Sequence, residues 1–372
     1  MSFFKGQEEL ELTEGGIVKP LVFLSLPIVI TNLMQTAYNL ADTFWLGQYS
    51  TDALAAISFA FPMVFLLISL GMGLSVAGSV LVAQHTGAGE TEKAEYAASQ
   101  TVTFAFLGSV ILGAVGYPLV RPFLNFLGAS PDVLPGATAY MQVVAIGLPF
   151  MFGFFVFISL MRGAGDTITP MLVMFGTVVL NVVLDPFLIN GWTVVSNAPL
   201  VGTVSFPEMG IEGAAVATVF SRTLAMIVGL VIMESGRRGI QIHLSDMKPD
   251  FQYLRKILQI GVPASIEGTG RALSINALLL VVGLFSKEVV AAFGIGTRVF
   301  SVIFLPAIAV ARGVETMSGQ NIGAGKYDRA ERANYVAAKG LFVILALVGV
   351  LIFLVPTPIV SVFTDDATVL AE

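Results

Sequence analysis

Nine long runs of predominantly apolar residues decide what this chain of 372 residues can fold into. Each run is close to or above the roughly 20 residues that a helix needs to cross the hydrocarbon core of a bilayer. The predicted spans are 18–46, 53–83, 96–119, 133–161, 170–190, 211–234, 252–284, 289–315 and 334–357. Since 56% of the residues are apolar and only 12% are charged, the chain falls outside the soluble class. We therefore predict an all-α polytopic membrane protein embedded in the lipid bilayer.

The composition also removes several classes of function. The chain has no cysteine and only two histidines, so zinc, haem and iron–sulfur centres lack their usual ligands. No Ser/His, Cys/His or metal-ligand set indicates an enzyme, and no basic patch with interleaved aromatic residues indicates a nucleic-acid partner. The stretches HTGAGE and NIGAGK follow no predicted strand and lack the GK[ST] ending of a phosphate loop. We expect their glycines to end helices, and we expect a protein that is not an enzyme and needs no cofactor.

The positions of the basic residues predict how the chain is oriented. If the N-terminus is cytoplasmic, 14 of the 19 Lys and Arg residues fall on the inner side of the membrane, and Arg121 and Lys287 fall on the outer side. Cytoplasmic loops are enriched in Lys and Arg, so this asymmetry favours a cytoplasmic N-terminus. The N-terminal stretch is acidic and lacks a small-residue cleavage site, so we do not interpret it as a cleaved signal peptide. The connection 191–210, which has no Lys or Arg, is then external.

An internal repeat divides the chain. The stretch AQHTGAGETEKAEYAA aligns without gaps with a later stretch that begins GQNIGAGKYDRAERAN, at an offset of 236 residues, and the same offset relates Pro27 to Pro263. Equivalent positions lie six predicted helices apart, so both copies have the same orientation and form parallel repeats about an axis along the membrane normal. We predict a six-helix N-terminal lobe, 1–236, and a partial C-terminal lobe of three helices, 237–372, which is expected to lack the last three helices of its copy.

Polar side chains follow one face of two predicted helices. They recur at steps of three or four residues in the first span and every fourth residue in the fifth span. The first set is Asn32, Gln35, Asn39 and Asp42, and the second set is Thr177, Asn181 and Asp185. Such spacing places each set on one helix face. Because a charged side chain at the bilayer centre costs about 2.5 to 3.5 kcal/mol on insertion scales, we expect both faces to line a cavity and the two carboxylates to serve in an ion path.

An alternative is that the polar side chains are contacts between helices and that the carboxylates lie at the outer interface. This alternative is stronger for Asp42, which lies near the external end of its span. It is weaker for Asp185, because further apolar residues of the span come after it. Pro186 removes a backbone donor directly after Asp185, which leaves the carbonyl of Val182 free to face a cation. Two carboxylates in one poorly solvated pocket can share a proton, and the same oxygens can bind Na⁺. The sequence is therefore compatible with either H⁺ or Na⁺ as the bound ion.

The second copy of the repeat carries different chemistry, since the acidic site has no counterpart there at the repeat offset. Glu267 and Arg271 lie four residues apart, a spacing that allows an ion pair within one helix, and we interpret them as neutralised charges lining a central cavity. Arg222 and Arg298 have no partner in the local sequence and stay unassigned. The phenylalanine-rich run 148–161 is interpreted as core or lipid-facing rather than as a substrate wall.

Six motifs give the chain a resemblance to a known family. They are ADTFWLG, QHTGAGETEKA, LMRGAGDTITPM, NVVLDPFLI, GIEGAAVATVFSR and GQNIGAGKYDRA. Through them the chain resembles the multidrug and toxic compound extrusion (MATE) antiporters, in particular archaeal-type, DinF-like members. The resemblance implies two six-helix bundles that form a V and alternate between inward and outward openings. It also implies efflux of small organic, often cationic compounds in exchange for H⁺ or Na⁺.

The same resemblance implies roles for individual residues. It implies a proton- or cation-coupling site formed by Asp42, Asp185, Asn181, Tyr140 and Thr218. If the bound ion is Na⁺, the implied ligands are Asp42, Asp185, Asn181 and Thr218. The resemblance implies that the first helix bends at Pro27, and Pro186 is a second candidate hinge. The expected partner is a small organic cation, and the expected state is a monomer in the plasma membrane.

Two other functions stay open. A flippase of a lipid-linked precursor would need a cationic central cavity for a pyrophosphate, and Arg222, Arg271 and Arg298 are the residues that could form one. A non-transporting membrane scaffold is the other alternative, because the second bundle is expected to be incomplete. Transport by the reconstituted protein separates a transporter from a scaffold.

Overall fold

The computed structural model describes residues 11–198, 202–282, 284–285 and 287–355. Nine long helices account for most of these described residues. They are α1 (Val18–Tyr49), α2 (Thr51–Gly87), α3 (Thr91–Phe126), α4 (Leu134–Gly163), α5 (Ile168–Asn190), α6 (Ile211–Glu234), α7 (Phe251–Val282), α8 (Lys287–Gly323) and α9 (Tyr327–Leu354). Each predicted span coincides with one of these helices, so the predicted fold class is confirmed. Over the described residues, seven of the nine, all except α7 and α8, are long and apolar enough to cross a membrane.

Several helices extend beyond the apolar runs that predicted them, whereas α7 and α9 end before their predicted ends at 284 and 357. α3 begins at Thr91 rather than at 96 and ends at Phe126 rather than at 119. Hydropathy marks only the part of a helix that lies in hydrocarbon, whereas the backbone hydrogen bonds continue into polar sequence at both ends. Between α1 and α2, the Ser50 side chain accepts a hydrogen bond of 3.0 Å from the Ala53 amide and so caps α2.

The connection 191–210 contains a small addition to the helical fold. β1 (Trp192–Ala198) and β2 (Gly202–Phe206) form a two-stranded antiparallel hairpin in which Trp192 pairs with Phe206. Both strands contain Val and Thr, which favour extended structure. Segments this short give no signal in a search for apolar runs of about 20 residues, so the hairpin was not predicted. Its external location remains a prediction.

α4 is the central helix of the first six. It packs against α2, α3 and α6, and Phe154, Phe157 and Leu160 are completely buried along it. Both large clusters of buried apolar side chains contain α4 residues, with Met141 in one and Met161 in the other. A helix that is apolar on all sides is typical of a bundle interior. α4 therefore provides an apolar wall against which α6 presents its polar residues.

Equivalent positions of the repeat make reciprocal contacts. Gly87, at the end of α2, packs against the backbone of Gln320, and Gly323, at the end of α8, packs against the backbone of Gln84. The offset of 236 residues exchanges these two contacts, which is the relationship expected from a two-fold axis between the copies. Glycine allows backbones to approach this closely because it has no Cβ. The lobe boundary itself remains a prediction.

The two glycine-rich stretches end helices, as predicted. Gly89 follows α2 with a φ of 71°, and its repeat equivalent Gly325 follows α8 with a φ of 72°. Glycine adopts this left-handed conformation without the steric cost that a side chain brings. Each stretch therefore stops one helix and turns the chain into the next.

Residues 11–17, which we call the N-terminal strap, lie against the second copy of the repeat. Arg329 on α9 donates hydrogen bonds to the carbonyls of Gly15 and Glu14, both at 2.7 Å. Lys326, just before α9, forms an ion pair with the Glu14 carboxylate at 3.2 Å. The strap thus ties the start of α1 to the beginning of α9.

Candidate ion-coupling site and cavity

Asp42 on α1 and Asp185 on α5 lie together in the interior of the first six helices. Their exposed fractions are 5% and 0%, and their carboxyl groups are close enough to interact electrostatically. Asn181, one turn before Asp185, donates a hydrogen bond from Nδ2 to Oδ1 of Asp185 at 3.2 Å. The structure therefore brings the acidic ends of the two polar stripes to one place.

Three oxygens at this site have no hydrogen-bond partner among the described residues. They are Oδ1 of Asp42, Oδ1 of Asn181 and Oδ2 of Asp185, and each is buried. A buried acceptor without a partner costs about 1 to 3 kcal/mol, and more when it is charged. A proton on one carboxyl group, or a Na⁺ ion held by several of these oxygens, would satisfy them. The set of oxygens fits both predicted driving ions.

Two residues that only the family resemblance assigned also lie here. The hydroxyl of Thr218 on α6 donates a long hydrogen bond of 3.5 Å to Oδ2 of Asp42. Tyr140 on α4 is 6% exposed and lies near both carboxyl groups. Tyr140 belongs to no polar stripe of α4, whereas Thr218 lies four residues before Arg222, so helical spacing indicates a polar face on α6 that the sequence analysis missed.

A cavity of about 530 Å³, which we call the large cavity, opens beside Asp42. Its polar and aromatic wall residues include Gln35, Tyr38, Asn39, Asp42, Phe61, Phe65, Tyr140, Phe155, Thr218 and Arg222. This volume and mixture of side chains are typical of small-molecule sites. Asp185 is not part of the wall, so Asp42 lies between the cavity and the rest of the carboxyl site.

Arg222, which the sequence left unassigned, is buried in the wall of the large cavity with 2% of its surface exposed. Its Nη2 donates a hydrogen bond to Oε1 of Gln35 at 2.6 Å. Its guanidinium lies 4.9 Å from the ring centre of Tyr38 and 5.0 Å from that of Phe154. Such cation–π contacts stabilise a desolvated guanidinium. The wall therefore carries a fixed positive charge in the same cavity as the carboxyl group of Asp42.

The other predicted polar residues have different positions. Asn32 lines a second, smaller cavity of about 230 Å³, and Gln35 lines both cavities. Thr177 is buried, but its hydroxyl donates to the carbonyl of Val173 at 2.9 Å and it lies in the wall of neither cavity. A threonine hydroxyl on a helix readily bonds to the carbonyl four residues earlier, so the Thr177 hydroxyl is satisfied within its own helix.

Some predicted features stay predictions. Pro27 and Pro186 lie inside the helices α1 and α5, and their role as hinges remains to be tested. Glu267 is exposed on α7, whereas the side chain of Arg271 falls outside the described residues. The same holds for the side chain of Arg298. The ion pair in the second copy is therefore neither confirmed nor contradicted.

The sequence analysis missed four aromatic residues of the large-cavity wall, Tyr38, Phe61, Phe65 and Phe155. Tyr38 lies four residues before Asp42, on the same helix face, so a search that included aromatic residues in the first polar stripe would have found it. Phe155 belongs to the run interpreted as core or lipid-facing. Phe154 and Phe157 in that run are indeed completely buried, but Phe155 lines both cavities. Composition alone cannot distinguish these neighbouring positions.

Comparison with known proteins places these features in a family. The MatE family model matches residues 27–187 and 263–372, two segments that begin 236 residues apart, as the repeat does. The chain is 30% identical over 357 residues to the probable multidrug resistance protein YoeA of Bacillus subtilis, covering 94% of this chain and 75% of that protein. It is 29% identical over 359 residues to the FAD transporter of Shewanella oneidensis, covering 96% and 77%. A solved outward-facing structure of a multidrug resistance MATE family transporter of the MOP superfamily has a TM-score of 0.83 at 27% identity, covering 96% of this chain and 77% of that one.

Membrane-type helices that enclose buried carboxyl groups beside a small-molecule cavity define the class of polytopic membrane transporters. Within this class, the chain belongs to the MATE family. The resemblance drawn from the six motifs is thereby confirmed. Its relatives are multi-pass membrane transporters rather than enzymes.

Proposed function

We propose that this protein is a secondary antiporter that exports amphipathic organic cations in exchange for H⁺ or Na⁺. Asp42 and Asp185 are the coupling residues, and Asn181, Tyr140 and Thr218 complete the coupling site. The observation that supports this proposal best is the cluster of buried oxygens beside the large cavity that have no hydrogen-bond partner among the described residues. A purely structural site would leave these acceptors unsatisfied at a cost in free energy.

Asp42 is the residue at which the driving ion and the exported cation compete. Its side chain forms part of the cavity wall, so an organic cation in the cavity gains an ion pair with the ionised carboxylate and cation–π contacts with Tyr38 and Phe155. A proton or Na⁺ bound between Asp42 and Asp185 neutralises that carboxylate. The organic cation then loses its partner and is released.

Movement of the two copies of the repeat opens the cavity to one side of the membrane at a time. Proline lacks a backbone donor and weakens a helix locally, so Pro27 is the hinge at which α1 bends, and Pro186 allows α5 to follow. Bending of α1 moves Asp42 and Gln35 relative to the cavity. The protein works as a monomer in the plasma membrane with a cytoplasmic N-terminus.

A second class of cargo has a specific observation in its favour. The Shewanella oneidensis relative is named an FAD transporter, and the smaller cavity of this chain contains Arg162 and Arg312. An aromatic compound with an anionic group would use both cavities. The flippase alternative has less support, because among the described side chains Arg222 is the one arginine that lines the large cavity. The scaffold alternative predicts no transport at all.

Purified protein in liposomes tests the proposal. Efflux of a fluorescent organic cation is measured under an imposed H⁺ gradient, under an imposed Na⁺ gradient and without a gradient. We expect efflux under one gradient and none without it, and the effective gradient identifies the driving ion. If neither gradient moves the cation while the protein remains folded, the proposed antiport is wrong.

A further inference from the structure

The smaller cavity, of about 230 Å³, lies between the first six helices and the second copy of the repeat. α1, α2, α4 and α5 form most of its wall, and α8 contributes Ile308 and Arg312. Arg162, in the last turn of α4, is the other charged residue in this wall. Two arginines from opposite copies of the repeat therefore line one cavity.

The charged residues that line this cavity, Arg162 and Arg312, have different partners. Arg312 forms an ion pair of 2.7 Å with Glu315. Arg162 donates a hydrogen bond to the Ser159 hydroxyl at 3.0 Å and has no ion-pair partner among the described residues. The nearby carboxylate of Asp166 accepts hydrogen bonds from the backbone at the start of α5 and serves as its cap. Neither Glu315 nor Asp166 belongs to the cavity wall, so the charged residues that line the cavity are two arginines.

The two guanidinium groups are also near enough for their charges to repel, and Glu315 offsets this repulsion of Arg162 only in part. Repulsion between like charges in a partly buried space opposes this packing unless an anion offsets it. Arginine suits that task because its planar fork of N–H donors matches the oxygens of a carboxylate or a phosphate. The arrangement has the chemistry of an oxyanion site.

The smaller cavity adjoins the large one. Gln35, Ile68 and Phe155 belong to the walls of both cavities. A ligand with a flat aromatic part in the large cavity can therefore place a second group near the two arginines. The aromatic side chains around the large cavity favour such a ring system by stacking.

We propose that Arg162 and Arg312 form a binding site for the oxyanion, a phosphate monoester or a carboxylate, of an aromatic compound whose ring system occupies the large cavity. The site deepens the proposed transport function by naming an anionic group on the cargo. Its test measures binding alone, so that it can fail or succeed independently of transport.

Riboflavin and flavin mononucleotide are suitable probes, since they share one ring system and differ by a phosphate monoester. Binding of each to the purified, detergent-solubilised protein is followed by quenching of flavin fluorescence. We expect the phosphorylated probe to bind on the order of tenfold more tightly than riboflavin, as a charge-assisted bidentate contact implies. Arg162→Gln should abolish this difference and leave riboflavin binding unchanged, whereas Arg162→Lys should retain part of it.

Arg332→Gln provides the matched control, because Arg332 is exposed on α9 and remote from both cavities. Equal affinity for the two flavins would overturn the proposal, as would an affinity difference that survives Arg162→Gln. If neither flavin binds, the melting temperature is measured with and without inorganic phosphate. The proposal then requires that phosphate raise the melting temperature of the wild-type protein but not that of Arg162→Gln, and any other result overturns it. The two proposals can fail separately. If no gradient drives cation efflux but the protein still binds the phosphorylated flavin more tightly, the antiport is wrong and the oxyanion site is supported.

Discussion

The amide nitrogen of Asn181 donates a hydrogen bond of 3.2 Å to Oδ1 of Asp185, four residues later on α5. The amide oxygen of the same Asn181 has no partner among the described residues and is buried, as is Oδ2 of Asp185. One side chain thus both orients the carboxylate and presents a free oxygen beside it. This geometry allows Asn181 to act on the driving ion directly.

Replacing Asn181 with leucine should weaken binding of the driving ion. Asn181→Leu removes one oxygen and one donor from the carboxyl site, and we expect the concentration of driving ion that gives half-maximal transport to rise about tenfold. Thr177→Val is the matched control, because Thr177 lies one turn earlier on the same face and bonds only to the carbonyl of Val173. Equal behaviour of the two variants in proteoliposomes would remove Asn181 from the ion site.

Replacing Arg222 with methionine should strengthen binding of organic cations. The guanidinium is a fixed positive charge in the wall of the large cavity, and it repels a positively charged ligand. We expect Arg222→Met to bind a fluorescent organic cation about tenfold more tightly than Arg222→Lys, which keeps the charge. Titration of both purified variants with that cation measures the difference. The same affinity in both would show that the charge of Arg222 does not act on the ligand.

Adding a methyl group at Gly87 or Gly323 should destabilise the contact between the two copies. Each Cβ would collide with a backbone carbonyl, that of Gln320 or that of Gln84, and overpacking of this kind costs about 1 to 3 kcal/mol. Gly87→Ala and Gly323→Ala should therefore lower the melting temperature in detergent by similar amounts. Gly340→Ala is the control, since a Cβ at Gly340 would meet nothing within 4 Å. A melting temperature unchanged by all three substitutions would contradict the close approach.

Replacing Arg329 with glutamine should release the N-terminal strap. Arg329 donates to the carbonyls of Gly15 and Glu14, and glutamine cannot reach both with charge-assisted hydrogen bonds. We expect faster amide hydrogen exchange across residues 11–17 in Arg329→Gln. Arg332→Gln, one turn away on the exposed face of α9, should leave exchange unchanged. Slow exchange in both variants would mean that other contacts hold the strap.

The sequence contains enough information for the helices but less for the site. Runs of apolar residues predict α1 to α9 because the bilayer demands a minimum helix length. Helical spacing predicts that Asp42 and Asp185 lie on polar faces, since that spacing is a property of each helix alone. The same spacing relates Thr218 to Arg222 on α6, but their contacts with Asp42 and Gln35 on α1 could not be predicted, because those contacts depend on how α6 packs. The position of Phe155 in the wall of both cavities depends on the same packing.

The central claim is that the carboxyl group of Asp185 couples ion movement to export. Its most direct test measures gradient-driven efflux of a fluorescent organic cation from proteoliposomes containing wild type, Asp185→Asn or Asp52→Asn. Asp52 is a matched control because its carboxylate is exposed in the first turn of α2. We predict that Asp185→Asn abolishes efflux while the protein stays folded and still binds the cation, and that Asp52→Asn transports as wild type does. Efflux by Asp185→Asn at the wild-type rate, under the same gradient, would show that Asp185 is a structural residue.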